Sequence, residues 1–419
     1  MELTIIILST NRVEYLKKSL RSIYTQKNIQ KYKESIEIIV STSNENELDS
    51  DWVSNNNFYE LKTDVILEHS NISFNRSHAR NLGINRAKGK KLLFLDCDII
   101  LNETFIEDIF EHINEDVVGI HYLYGYKIPN DDYRANDIKN LKHLSQINYL
   151  NKDFIDYREQ VFEVYSDDLT RLHSPWVLAW SCILSINNTR VRKIKGFDEK
   201  FSNWGGEDAD LAFRLYKLGT KFVIYRNSFG LHIPHNSPQG RIAKTNNKKY
   251  FHDKYRCPET EILYYYPTYL IDQILNEVVQ SYMFNMNISE SAIENINKHL
   301  KNFNKTLSVG LNLSLDISKL NFDTFFVVNL YEKESSKVVI EKRKKIMNTF
   351  GILTDFEDNY FDIVYVFDSF QFLPEKLYKL LIDELSRISK KIIETNFIND
   401  CGPYVKNSIV TKEVNRENK

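Results

Sequence analysis

The feature that most restricts the fold is an alternation of short, wholly apolar runs with stretches of helical periodicity. Thr4-Ile-Ile-Ile-Leu8 is a β-branched run of the kind found in strands buried on both faces. Ser9-Thr10-Asn11 follows as a polar turn, after which Tyr15, Leu16, Leu20, Ile23 and Tyr24 recur at helical spacing. Ser35–Val40 and Val65–Leu67 predict two more strands. A helix is expected over Ser77–Ala87, capped by Lys88-Gly89, and Lys91–Leu95 predicts the fourth strand. Such alternation implies an α/β fold with a mostly parallel central sheet and helices on both faces. Sites in these sheets form beyond the carboxyl ends of the strands.

The pattern loosens from Val117 to Ile194. Ser174–Leu184 is its most apolar stretch and reads as a strand, with Trp176 and Trp180 as core residues. Lys221–Tyr225 predicts a further strand, followed by Gly230-Leu-His-Ile-Pro-His235. The polar run Pro238–Lys249 reads as a mobile loop. Helical patches occupy Ile262–Ile296, and strand–helix alternation returns over Leu307–Lys391.

Bulk properties exclude several functions. With 419 residues, 42% of them hydrophobic, the chain has material for two or three domains. A formal net charge of -2 supplies no general attraction to nucleic acid, and no such partner is implied. Cys97, Cys182, Cys257 and Cys401 are too scattered for a disulfide framework or a zinc site, and reduced thiols point to a cytoplasmic protein. No signal peptide is visible, and no run reaches the roughly 20 apolar residues of a membrane span.

Three clusters and a histidine pair carry chemistry. Asp96-Cys97-Asp98 ends the fourth predicted strand. In an extended segment both carboxylates project to one side while Cys97 points away, which suits a hard divalent ion, Mn²⁺ or Mg²⁺. Upstream, Arg76 and Arg80 in Phe74-Asn-Arg-Ser-His-Ala-Arg-Asn-Leu-Gly83 flank a helix amino terminus suited to a diphosphate. The third is Trp204-Gly-Gly-Glu-Asp208: Gly205 and Gly206 permit a tight turn, and Trp204 offers a flat face for a sugar ring. Asp208, at a helix start, is expected to stay ionised as a general base, with Glu207 orienting the substrate. His232 and His235, just after a strand, are candidate metal ligands.

Taken together, Thr4–Arg12, Phe74–Gly83, Phe94–Asp98 and Trp204–Leu211 resemble the family 2-like glycosyltransferases of the GT-A fold, over roughly residues 1–240. The last segment is similar to the W-G-G-E-D region of bacterial chondroitin-type polymerases and β-1,4-galactosyltransferases. The resemblance implies a UDP-sugar donor and a carbohydrate or glycoconjugate acceptor, with peptide an alternative acceptor. It makes Asp208 the base of an inverting transfer and Asp96 and Asp98 ligands of Mn²⁺ on the donor diphosphate. His235 or His232 completes the metal site, depending on which relatives guide the alignment. The nucleotide-sugar contacts it implies are Thr10, Asn11, Arg12, Ser41, Arg76, Arg80, Asn81, Asp96 and Cys97. Ser41-Thr-Ser43 stands where the family usually has an acidic residue against uracil.

The expected layout is a GT-A domain over residues 1–260 (nucleotide-sugar half 1–115, acceptor half 116–260), a helical connector over 261–300 and a small α/β domain over 301–419. Phe361–Pro374 resembles part of a class I methyltransferase, but Ser308-Val-Gly-Leu-Asn312 has too few glycines for its cofactor loop, so that domain reads as degenerate, Rossmann-like, and open to use in oligomer assembly or acceptor docking. Peripheral association with a membrane is left open. Two other functions compete: a retaining polypeptide-modifying transferase, and a non-catalytic carbohydrate-binding scaffold.

Overall fold

A computed structural model of the chain describes residues 1–9, 12–42, 61–67, 75–140, 154–201, 205–235, 241–282, 288–311, 317–328, 339–341, 344–367 and 373–395. The chain divides into two units, Met1–Tyr250 and Phe251–Lys419.

The first unit is built on an eight-stranded mixed sheet. Its strands are β1 (Leu3–Ser9), β2 (Ile36–Thr42), β3 (Lys62–Leu67), β4 (Lys91–Asp96), β5 (Ile99–Leu101), β6 (Val117–Tyr124), β7 (Ile183–Asn187) and β8 (Lys221–His232), in the order β3-β2-β1-β4-β7-β6-β8-β5. The first four pair in parallel, as the apolar runs predict. Beyond β4 the sheet turns mixed, because β7 runs antiparallel to both neighbours. β1 is buried throughout. Helix α1 (Val13–Tyr24) lays Leu16, Leu20 and Ile23 against that core.

Helix α2 (Arg76–Arg86) begins at Asn75, whose side chain accepts from the His78 N–H at 3.1 Å. It packs very close to β1: a Cβ at Gly83 would meet Ile6 Cγ2 at 2.6 Å. Gly89 corrects an expectation. The cap position is Ala87, and Gly89 instead abuts the β1 backbone and donates its N–H to Thr4 Oγ1 at 2.8 Å.

Two other expectations change. Within Ser174–Leu184 only the end pairs as a strand; Pro175–Leu178 is a short 3₁₀ turn, consistent with a proline that cannot donate to a ladder. Part of the run read as a mobile loop is helix α4 (Arg241–Tyr255), which holds no glycine or proline to break it, while Pro238–Gly240 lies outside the described residues. Helix α3 (Glu207–Lys217) follows the glycine pair, where Gly205 and Gly206 have φ of 97° and 96°.

In the second unit, β9 (Thr306–Val309), β10 (Thr324–Val327), β11 (Val339–Glu341), β12 (Lys344–Asn348), β13 (Ile363–Val366) and β14 (Ile392–Glu394) form a sheet ordered β11-β12-β10-β9-β13-β14. Only β11 pairs antiparallel among the described strands. The helices expected as a connector, α5 (Pro258–Tyr265), α6 (Ile271–Tyr282) and α7 (Glu290–Leu300), lie in this unit, and Ile296 and Leu300 of α7 share a core with Phe325 and Tyr365. Glu261 anchors α5. It accepts from Thr349 Oγ1 at 2.7 Å and from the Phe350 and Gly351 N–H groups at 2.6 and 3.2 Å. Glu261→Gln puts an amide donor among these donors and is expected to cost about 1–3 kcal/mol. Urea unfolding of the full chain checks this; an unchanged midpoint for the second unit contradicts it.

Candidate active site

The acidic turn after β4 is fixed from three directions. The Asp96 N–H donates to Cys182 O at 2.8 Å, the Cys97 N–H donates to Leu8 O at 3.1 Å, and Asp98 O accepts from the Ile233 N–H at 2.8 Å. Next along the chain, β5 pairs antiparallel with β8, setting Ile99 opposite His232. This pairing brings the histidines to Asp98.

Asp98, His232 and His235 each offer a ligand atom within 4.8 Å of the others. His235 Nδ1 lies 3.4 Å from Asp98 Oδ2, which also accepts from Arg12 Nη1 at 2.6 Å. His232 Nδ1 is buried with no hydrogen-bond partner, and burial lowers the pKa of this ring despite the nearby Asp98 charge. A neutral imidazole with an orphaned nitrogen beside a carboxylate fits a divalent cation, so both candidate histidines are placed to serve.

Asp96 takes another direction. It accepts from Arg80 Nη2 at 3.1 Å, and Arg76 Nη1 lies 3.8 Å away. The two aspartates diverge because β4 ends at Asp96, so strand alternation does not extend to Asp98. Arg80 is 2% exposed, and its other terminal nitrogen donates to Glu207 Oε1 at 3.2 Å. The guanidinium expected to face a diphosphate is thus turned inward as a strut joining both acidic clusters. Arg76, half-buried at the start of α2, is with Arg12 a partly exposed cation of the site.

Glu207 is also committed: its second oxygen accepts from the Gly205 N–H at 3.0 Å, closing the glycine turn. Asn247 of α4 holds the same turn, donating to Gly205 O at 2.6 Å. Asp208 is half-buried and accepts from the Ala209 N–H at 2.8 Å. Its pKa is pushed up to about 7, chiefly by burial and then by Glu207, with Arg80 opposing. This corrects the expectation that the helix start keeps it fully ionised: burial and the Glu207 charge outweigh Arg80 and the backbone N–H groups that favour the anion. A carboxylate poised near neutrality is well matched to general base work.

Other predicted contacts fall elsewhere. Asn81 pins the segment after β7, accepting from the Phe197 N–H at 2.8 Å and donating to Glu199 Oε1 at 2.8 Å. Cys97 is buried in the core, where desolvation raises its thiol pKa, so only its backbone borders the site. Ser41 ends in the core at the end of β2, its hydroxyl without a hydrogen-bond partner. Thr10, Asn11 and Trp204 lie outside the described residues. Sequence reasoning missed Asn247, because a contact spanning 42 positions has no local pattern to announce it.

Comparison with known proteins bears on the family of the chain. Residues 4–167 match the family described as Glycosyl transferase family 2, and residues 166–236 match the N-terminal domain of galactosyltransferase. The chain is 26% identical over 242 residues to validoxylamine A glucosyltransferase of Streptomyces hygroscopicus subsp. jinggangensis, covering 56% of each chain. It is 26% identical over 260 residues to hyaluronan synthase of Pasteurella multocida, covering 59% of this chain and 26% of that one. The chain thus spans about half or less of the length of these relatives. Among solved structures, S. aureus TarS 1–349 in complex with UDP-GlcNAc aligns with a TM-score of 0.38 and 14% identity, over 72% of this chain and 73% of that chain. No described helix is long and apolar enough to cross a membrane. Residues 4–167 therefore carry a domain of the Glycosyl transferase family 2 type, continued over residues 166–236 by a segment of the galactosyltransferase N-terminal type.

Proposed function

We propose that the protein is a metal-dependent, inverting glycosyltransferase that moves a hexose or N-acetylhexosamine from a UDP-sugar to an acceptor hydroxyl, in the cytoplasmic synthesis of a bacterial glycan or glycoconjugate. The observation that carries this is the Arg80 bridge, which sets the Asp96 turn beside the Glu207-Asp208 turn. Asp208 takes the proton of the acceptor hydroxyl as that oxygen attacks the anomeric carbon. Arg76 faces the leaving diphosphate as negative charge develops there. Asp98, His232 and His235 would hold Mn²⁺ or Mg²⁺, which when bound supplies charge neutralisation at the diphosphate. The imidazoles favour Mn²⁺. The second unit is proposed to serve acceptor docking or assembly rather than methyl transfer.

Asp98→Ala and His232→Ala are each expected to weaken Mn²⁺-dependent UDP binding by about 10–100-fold, leaving any metal-free affinity unchanged. Isothermal titration of UDP with and without Mn²⁺ measures this. Equal UDP affinity in wild type and both variants, with or without Mn²⁺, would remove the metal site. A thermal-shift screen of nucleotide sugars with Mn²⁺ then identifies the donor.

A further inference from the structure

Beside the acidic clusters lies an aromatic pair that the mechanism does not use. Gly125, with φ of 77°, turns the chain after β6, and its N–H donates to Phe154 O at 2.8 Å. The next residue, Tyr126, is 39% exposed. Its ring lies 5.0 Å from that of Trp180 at 41°, and 5.4 Å from that of His232.

Trp180, expected as core, is only half-buried, and its orientation is fixed from behind. The Arg158 guanidinium sits 4.5 Å from its ring centre. Arg158 cannot swing away. It is buried, bonded to Asp156 at 2.6 and 3.0 Å, and donates to Leu178 O at 2.7 Å and His121 O at 2.8 Å. A cation locked against one indole and a tyrosine tilted against the same ring make a rigid apolar wall. The acidic turn lies close by: the Asp96 N–H donates to the carbonyl of Cys182, two residues after Trp180.

We propose that Tyr126 and Trp180 form the acceptor-sugar platform, stacking on the C–H face of a pyranose whose hydroxyl is presented to Asp208. A pyranose has an apolar face rimmed by hydroxyls, and this wall offers aromatic surface close to the Asp96 turn. The acceptor is preferred to the donor on position in the sheet: Arg12 and Arg76, the cations that suit a diphosphate, come from the β1 and α2 side, whereas Tyr126 follows β6. The proposal rests on the transferase reading above.

Saturation-transfer difference NMR of the full chain, with UDP and Mn²⁺ present, tests it. The probes are methyl β-D-glucopyranoside, methyl β-D-galactopyranoside and methyl N-acetyl-β-D-glucosaminide. Wild type is expected to saturate the C–H protons of one ring face of at least one probe most strongly. Tyr126→Ala, at a position too exposed to open the core, should weaken that probe about three- to tenfold. Trp180→Ala should do the same, and Tyr126→Phe should retain binding. Calorimetric UDP affinity should stay within twofold in all three variants. Glycoside binding unaltered by Tyr126→Ala, no saturation of any probe in wild type, or loss of UDP affinity in its place would overturn the platform. Wild type that fails to bind UDP with Mn²⁺ would sink the transferase reading itself, a result distinct from unaltered glycoside binding with UDP affinity intact.

Discussion

Asp208→Asn is expected to lower transfer by about 10²–10⁴-fold, the usual contribution of a general base, while UDP still binds. Asparagine keeps the size and the bond from the Ala209 N–H but cannot take a proton. The wild-type pH profile should carry the same signature. With Asp208 raised to about 7, the active anion is the minor form in acid. Catalytic efficiency should therefore fall about tenfold per pH unit below that value and level off above it. The residual activity of Asp208→Asn should lack this rise. Near wild-type turnover in the variant, or a profile flat from pH 5 to 8, would remove Asp208 from the role.

The second large effect is on stability. Arg80→Met leaves Asp96 and Glu207 facing each other without the cation they share, and Glu207 is 4% exposed. Removing one partner of a buried ion pair costs about 3–5 kcal/mol. For a unit of this size that corresponds to a fall of roughly 6–20 °C in melting temperature. Adding Glu207→Gln should recover part of the loss, since the second change removes one stranded charge. Calorimetric melting of the three proteins measures both. A single variant that melts with wild type would show that Arg80 is no strut.

What could be read in advance follows from how local each signal is. β1, β2 and β4 are runs buried on both faces, and such runs announce themselves without a partner. The Gly205-Gly206 turn was legible because positive φ at consecutive positions excludes most other residues. The inward turn of Arg80 was not, since its partners lie 16 and 127 positions away and only folding reveals that both are acidic and near. Asp208 shows the same limit in energy rather than position. The backbone N–H groups of the helix start, visible in sequence, favour the anion, whereas burial and Glu207, brought together by the fold, raise the pKa to about 7. Trp180 was read as core because tryptophan usually is, and nothing local distinguishes it from Trp176, which is fully buried. The join of Asp98 to two histidines depends on the β5–β8 pairing, which bridges over a hundred residues. The place of the histidines just after a predicted strand marked them as candidate ligands, but the pairing that brings them to Asp98 had no local signal.

The most direct test of the account is the anomeric configuration of the product. Once donor and acceptor are identified, proton NMR of the first product formed reads the coupling at the new anomeric centre. A base that activates the acceptor for a single displacement predicts inversion, a β-linkage from an α-linked UDP-sugar. A product with the donor's configuration would contradict the role given to Asp208 and favour a retaining transferase.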